Sequence, residues 1–472
     1  MSDALPGFAR LREIGQRFAD LASLFDAHHH PLYLVGGSVR DAFLDRGGID
    51  YDFTTSARPE LIMDILNSYA PAVWDTGIEF GTVSAEKDGA QIEITTFRSD
   101  TYDGTSRNPE VRFGDSLEGD LVRRDFKVNA MAVRITPEGD VELHDPMGGL
   151  SDLQAGVLDT PATPEQSFHD DPLRMLRAAR FVSQVEFSVA PRVRQAMEEM
   201  NGEITRITAE RVQMEMSKLL LGCAPWEGID LMVDTGLADH VLPEVPALRL
   251  TQDEHKQHKD VYAHSKRVLR NATQHEGDEG PDLVLRWAAL MHDIGKPATR
   301  EFHEGGAVSF HQHEVVGAKM VRHRLRALKY PKQVVKDVSQ LVFLHMRFYG
   351  YSDAPWSDSG VRRYAHDAGE LLPRLNKLVR SDCTTRNKRK SQRLQRAYDE
   401  LEQRIEEIAE KENLAAVRPD LDGNDIMEIL GLSPGPEVGR AWTYLKELRL
   451  DRGPMEREDA IAALRAWWNE QN

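Results

Sequence analysis

The chain has 472 residues, too many for a single hydrophobic core and enough for about three domains. A 40% hydrophobic and 29% charged composition excludes wholesale disorder, and a formal charge of −18 excludes a protein that coats nucleic acid through bulk positive charge. Two cysteines far apart, Cys223 and Cys383, exclude a disulfide framework or a cysteine zinc site, so any metal must rest on histidines and carboxylates.

The opening "MSDALPGFARLREIGQRF" lacks the basic end and apolar core of a signal peptide, and no stretch reaches the apolar length of a membrane span. A cytoplasmic protein with no membrane partner is expected. Over roughly the first 150 residues, "PLYLVGG", "DYDFTT", "FGTVSAE", "AQIEITTFR" and "NAMAVRI" read as strands. "SVRDAFL" and "RPELIMDILNSYA" read as helices between them, giving a mixed α/β head. The Gly-, Ser-, Asp- and Arg-rich stretch from Asp100 to Asp120 reads as a mobile loop, and "HHH" at 28–30 as a loop end. After the turn-rich "DPMGGLSDLQAG" the pattern becomes helical, through "PLRMLRAARFVSQV", "VRQAMEEM" and "AERVQMEMSKLLLG". Residues 374–396 carry nine Lys or Arg against one acid, Asp382, which suits either phosphate neutralisation or a solvated helix face. Beyond it, Leu394, Tyr398, Leu401, Ile405 and Ile408 mark one long amphipathic helix.

Chemistry concentrates first in "VGGSVRD" and "IDYDFTT". Strand alternation puts Asp50 and Asp52 on one face, with Ile49, Tyr51 and Phe53 on the other. Two convergent carboxylates repel unless a cation sits between them, and hard oxygen donors with open positions suit Mg²⁺. Glu93, on the polar face of "QIEITTF", is a third candidate ligand. Gly36, Gly37 and Ser38 follow an apolar strand and open a helix, where a triphosphate can approach the backbone, with Arg40 close behind. The alternative is an exposed edge strand with capping acids.

In order, "LVGGSVRD", "DYDFTT", "RRDFKVNAMA", "DPMGGLSDL", "DDPLRMLRAARF" and "TAERVQMEM" resemble the class II tRNA nucleotidyltransferases (CCA-adding enzymes) and bacterial poly(A) polymerases, within the DNA polymerase beta superfamily. The resemblance implies an α+β fold class: a polymerase-beta-like nucleotidyltransferase head (1–155), then an all-α neck (156–250), HD domain (251–400) and tail (401–472). It implies that Asp50 and Asp52 bind the catalytic metals and that Arg123, Arg124, Asp125 and Asn129 hold the incoming nucleotide. The expected substrates are CTP, ATP and a tRNA 3′ end, and poly(A) polymerase activity at the same site is the alternative. Lys127, Asp170 and Thr208 stand where the family usually has a hydroxyl residue, Glu and Ser.

Asp171, Arg174 and Arg177 fall three residues apart on one helical face. C and A both present an amine donor beside a ring-nitrogen acceptor, so a carboxylate at 171 and a guanidinium at 174 can select them without a template. The alternative makes Asp171 a helix cap before Pro172.

A second constellation comprises His264, His292, Asp293, His313, His345 and Asp382, with His311 a lesser candidate. Mixed nitrogen and oxygen donors suit a divalent transition metal, with room for a second ion, and the set resembles an HD-type phosphohydrolase. A metal-binding but inactive scaffold is the other reading, as is a metal phosphohydrolase whose head senses nucleotide or RNA.

Overall fold

The computed structural model describes residues 6–98, 113–114, 116–250, 260–304, 308–349, 351, 356–385, 387–412 and 419–471. Its contacts divide the chain into two compact units, one of Met1–Leu219 with Glu227–Val241, the other of Leu220–Trp226 with Leu242–Asn472.

The first unit runs α1 (Pro6–Asp26), β1 (Leu32–Val35), α2 (Gly37–Phe43), β2 (Asp50–Thr55), α3 (Pro59–Tyr69), β3 (Ala72–Trp74), β4 (Thr82–Lys87) and β5 (Ala90–Thr96). It continues α4 (Leu117–Val122), β6 (Ala132–Ile135), β7 (Val141–His144), α5 (Gly149–Ala155), β8 (Val157–Leu158), α6 (Pro164–Asp170), α7 (Leu173–Val185), β9 (Ser188–Val189) and α8 (Pro191–Met200). Helices α9 (Ala209–Leu220), α10 (Pro225–Asp234) and α11 (Leu237–Val241) follow. β1 to β7 form one sheet ordered β3-β4-β5-β2-β1-β6-β7. Within it β2 and β5 run parallel and the other neighbours antiparallel. Alternation along β2 buries Tyr51 and Phe53, and Phe18 of α1 meets their rings edge-on at 4.8 and 5.1 Å. That apolar contact fixes which face of β2 is left for Asp50 and Asp52.

The expected strands are present, although "NAMAVRI" begins with a 3₁₀ turn and becomes strand only at Ala132. β3, β7 and α1 are additional. Most of the stretch expected to be a mobile loop, 100–120, lies outside the described residues, but its end is the start of α4 and packs Leu117 and Leu121 on Val35 and Phe97. The three neck helices form as α7, α8 and α9.

The second unit contains α12 (Val261–His275), α13 (Leu283–Met291), a hairpin of β10 (Arg300–Phe302) and β11 (Val308–Phe310), α14 (His313–Ala327) and α15 (Lys332–Leu344). It ends with α16 (Asp358–Ala368), α17 (Leu372–Ser381), α18 (Lys388–Glu412), α19 (Gly423–Leu430), α20 (Pro436–Arg452) and α21 (Arg457–Gln471). The apolar stripe expected of one long helix lies on α18, with Ala397, Tyr398, Leu401, Ile405 and Ile408 buried. α13 is the apolar heart of the unit, with Trp287 fully buried against Tyr330. On the same helix Arg286 is buried with Glu276, bonding both carboxylate oxygens at 2.6 and 2.8 Å and donating to the carbonyls of Leu220 and Gly222. Among the described residues no helix is long and apolar enough to cross a membrane.

Removing one member of such a pair leaves the other charge buried and unpaired, so Arg286→Ala is expected to cost about 3–5 kcal/mol. Urea unfolding of the variant checks this, and a loss below about 1 kcal/mol would show that water re-solvates Glu276.

Candidate functional site

In the first unit the parallel register sets Asp52 beside Glu93 and Asp50 beside Gln91. Asp50, Asp52 and Glu93 are exposed on one face while Tyr51, Phe53, Ile92 and Ile94 are buried on the other. The Asp52 carboxyl is pushed above its ordinary value, first by desolvation in the cleft and then by the Glu93 charge, with Arg124 opposing and Asp50 adding. Oxygen donors of this kind suit a hard divalent cation, although Asp50, Asp52 and Glu93 share a face without forming one of the tight donor clusters found among the described residues.

Gly36 holds the loop above them at φ 66°, where a Cβ would stand 3.1 Å from Nη1 of Arg124 and 3.9 Å from Oδ2 of Asp52. Ser38 works on the strand: its Oγ accepts from the Asp52 N–H at 3.1 Å and donates to the Asp50 carbonyl at 3.4 Å. Gly37, Ser38, Asp50 and Asp52 share the lining of a cavity of about 220 Å³ with Arg10 and Arg46.

The "RRDFKVN" residues form a linked network. Arg123 and Arg124 both bond the buried Asp120, at 2.8 and 3.1 Å. Against burial, Arg124 and Arg123 hold that carboxyl below the usual range. Asp125 is also buried, and accepts from Arg177 Nε at 2.8 Å and from Asn129 Nδ2 at 3.0 Å. Burial raises its pKa, but the Arg177 charge and the Asn129 bond overcome this and hold it far below the ordinary value. Asn129 in turn accepts from Arg40 Nη1 at 2.8 Å, and Arg40 lies over the Phe181 ring. Lys127, the departure from the family pattern, pairs instead with Asp159 at 2.7 Å.

Asp171 and Arg174 are both engaged. Asp171 lies in extended backbone between α6 and α7, so it does not share a helical face with Arg174 and Arg177 as expected, nor is it the N-cap of α7, which is Pro172; its Oδ1 accepts from the Leu173 N–H at 3.1 Å and its Oδ2 from Arg211 at 2.8 Å. Arg174 donates to the Ser167 hydroxyl at 2.9 Å and to the Arg123 carbonyl at 2.5 Å. The structure thereby ties α7 to the end of α4 through a backbone atom. Arg211, Asp120, and the buried Glu215 that pairs with Arg180 at 3.1 Å escaped the sequence reading. Arg211 and Glu215 lie inside the "TAERVQMEM" motif, which was their one available signal.

In the second unit α12, α13, α14, α15 and the end of α17 deliver six side chains to one point. His264 Nε2 lies 2.9 Å from Asp382 Oδ1 and 3.3 Å from His292 Nε2, and His292 Nε2 lies 3.2 Å from Asp293 Oδ2. His313 and His345 approach the other oxygen, Oδ1, at 3.3 and 3.9 Å. The donors form two triads that share Asp293: His264, His292 and Asp293, and Asp293, His313 and His345. The Nδ1 atoms of His292, His313 and His345 donate to the carbonyls of Ala289, Phe310 and Val342, which leaves each Nε2 lone pair facing inward. Gly295 allows this close assembly, since a Cβ there would sit 2.1 Å from the His313 carbonyl oxygen. Asp293 Oδ2 is buried with no aligned donor, although Lys296 Nζ stands 3.0 Å away. Burial and the neighbouring His292 push His345 down to about 3, so it is neutral, whereas Asp293 outweighs burial and lifts His292 to about 9. Four imidazole nitrogens around one shared, buried carboxylate are a donor set that fits one or two divalent transition metals, and a bound cation would displace the proton that His292 otherwise holds. His311 is elsewhere, exposed with Glu301 and His303 on the β10–β11 hairpin.

Three family models match in order: the poly(A) polymerase head domain over residues 32–159, the "probable RNA and SrmB-binding site of polymerase A" over 186–248, and the HD domain over 261–387. An A-adding tRNA nucleotidyltransferase of Deinococcus radiodurans is 35% identical over 93% of this chain and 95% of its own. A CCA-adding enzyme of Bacillus cereus is 28% identical over 97% and 99%. The crystal structure of the Bacillus stearothermophilus CCA-adding enzyme with CTP superposes with a TM-score of 0.69 at 26% identity, over 97% of this chain and 98% of that one. With a 35%-identical relative matched nearly end to end and family models matching the head and HD segments, the chain belongs to the tRNA nucleotidyltransferase and poly(A) polymerase family.

Proposed function

We propose that the chain is a CCA-adding tRNA nucleotidyltransferase, adding C, C and A to tRNA 3′ ends from CTP and ATP without a nucleic-acid template. The observation that carries it is the alignment of Asp50, Asp52 and Glu93 on one face of adjacent strands, with Gly36 and Ser38 against Asp52. These carboxylates would hold Mg²⁺, which when bound lowers the pKa of an attacking hydroxyl and stabilises in-line displacement. Ser38 keeps the strand in place and Gly36 keeps the approach above Asp52 open to phosphate. Arg123 and Arg124, oriented by Asp120, face the triphosphate, while Arg40, Asn129 and Asp125 position the ribose and phosphates, locked by Arg177. Asp171 and Arg174 select the base, and Arg211 and Ser167 fix their orientation. The division into head (1–155), neck (156–250), HD domain (251–400) and tail (401–472) follows these tasks, in a protein of the cytoplasm.

The HD centre supports a second activity, metal-dependent hydrolysis of phosphate esters at RNA ends, with water cleaving a P–O bond. The shared Asp293 and the four inward imidazole nitrogens support this reading. The 35%-identical A-adding relative favours one other reading of the head, addition of the terminal A alone.

Supplying tRNA that lacks CCA with each labelled nucleotide singly, then with CTP and ATP together, separates the readings. Three added residues are expected. A single A on tRNA already ending in CC, with no C addition, supports the A-adding reading, and a long ladder with ATP supports poly(A) synthesis. Asp52→Asn removes incorporation while leaving RNA binding intact.

Asp171→Ala is expected to admit UTP and GTP with tRNA affinity unchanged. Unaltered selectivity in competition assays would reassign Asp171 to its bonds with the Leu173 N–H and Arg211.

Asp125→Asn is expected to cost about 1.5–3 kcal/mol, the worth of the charge-assisted bonds it loses. The folded-state pKa of Asp125 is depressed, so its contribution is full above the unfolded value near ~3.9 and is lost as pH falls toward the folded one. The stability gap to wild type therefore stays constant from about pH 8 to 5 and narrows below about pH 4, as urea unfolding at several pH values would show.

A further inference from the structure

The basic stretch 374–396 splits into two halves with different fates. On α17, Arg374 pairs with Asp282 at 2.7 Å, Lys377 donates to the Glu276 carbonyl at 3.1 Å, and Arg380 meets Asp399 and Glu402 at 2.8 and 2.9 Å. Those cations serve internal packing. On α18 the first turn carries Lys388, Arg389 and Lys390, all exposed, and no acid.

Cations at the positive end of a helix dipole are electrostatically unfavourable. The backbone does not need them there, because Asn387 Oδ1 already accepts from the N–H groups of Arg389 and Lys390. Arg389, Gln392, Arg393 and Arg396 line an open groove of about 280 Å³ with Tyr351 and Glu400. Arg389 and Arg396 make no ion pair among the described residues. One stripe further round the helix, Lys390 and Leu394 line the cavity that holds His264, Asp293, His313, His345 and Asp382. A single helix therefore walls both the metal-fitting cavity and a guanidinium-lined groove. Arg389 to Arg396 spans roughly 10 Å along its axis.

We propose that the N-terminal half of α18 is a phosphate track: Arg389, Arg393 and Arg396 bind the backbone of an RNA strand whose end enters the HD cavity past Lys390. The track makes the HD centre select phosphate carried on RNA over small phosphate esters. The selection rests on the hydrolase reading of that cavity, whereas RNA binding to the track does not.

The test compares R389Q/R393Q/R396Q with a control of equal charge change, R322Q/R326Q/K336Q, on α14 and α15. The first readout is the affinity of a fluorescent single-stranded RNA as salt is varied. Loss of three contacts lowers the log–log slope by about 2, and at low salt the track variant binds at least about tenfold more weakly, while the control keeps the wild-type slope. The second readout uses enzyme loaded with Ni²⁺, Co²⁺ or Mn²⁺, and compares an oligonucleotide ending in 2′,3′-cyclic phosphate with bis-p-nitrophenyl phosphate. KM for the oligonucleotide rises at least about tenfold at unchanged kcat, and kcat/KM for the small ester stays at wild type. An unchanged salt slope, an equal loss in the control, or an equal fall on both substrates overturns the track. A wild-type protein that hydrolyses neither substrate overturns the hydrolase reading and the selection with it, and the salt slope then decides RNA binding alone.

Discussion

Three carboxylates gathered on one face of two adjacent strands repel one another, and everything around the head cleft is arranged about that repulsion. The parallel register of β2 on β5 creates it by pairing Asp52 with Glu93. Desolvation raises the Asp52 pKa first, and the Glu93 charge raises it further. A one-residue slip would relieve the repulsion at once, but the slip would turn Tyr51 and Phe53 out of their contact with Phe18 and carry the aspartates toward α1. The apolar packing behind the sheet thus holds charged groups in a geometry that they would not choose, and a cation is the natural complement. Positive groups approach from above, with Arg124 near Gly36 and Arg40 anchored through Asn129, so the same cleft sets cationic side chains against its carboxylates.

The two centres handle the same cost with different donors. In the head the carboxylates stay at an exposed face and only oxygen is offered, which suits a hard ion that keeps part of its water. In the HD centre burial is nearly complete, with His292, Asp293, His313 and His345 all inaccessible. The rings of His292, His313 and His345 are each fixed there through an Nδ1 bond to a helical or loop carbonyl, which turns Nε2 toward Asp293. Asp293 is the pivot, because its two oxygens face different pairs of histidines.

Elements with a strong local pattern were legible in the sequence. The alternation in "DYDFTT", the helical runs of the neck and the stripe of α18 each report a face that must be buried. Partnerships between distant residues were not, for a physical reason: Asp171 meets Arg211 across 40 residues and Arg180 meets Glu215 across 35, so neither side chain shows its partner in its own neighbourhood. His311 illustrates a different failure. It stands two residues from His313, but Gln312 between them adopts a left-handed conformation with φ 59°, and that reversal sends one histidine to the buried centre and the other to the exposed hairpin. Spacing predicts a shared direction only where the backbone is regular.

Composition alone also failed to separate the two halves of the basic stretch, since Arg380 and Arg389 differ in nothing that a sequence window reports. What separates them is the supply of acids in three dimensions. Arg380 lies where α18 brings Asp399 and Glu402 back alongside it, and its charge is spent inside the fold. The first turn of α18 precedes that acidic supply, so its cations face outward from a chain whose formal charge is −18. An acidic surface repels a polyanion almost everywhere it meets it, which sharpens discrimination wherever cations are concentrated. The net charge that argues against indiscriminate nucleic-acid coating is therefore compatible with RNA as a substrate, because it confines attraction to short cationic segments beside the chemistry.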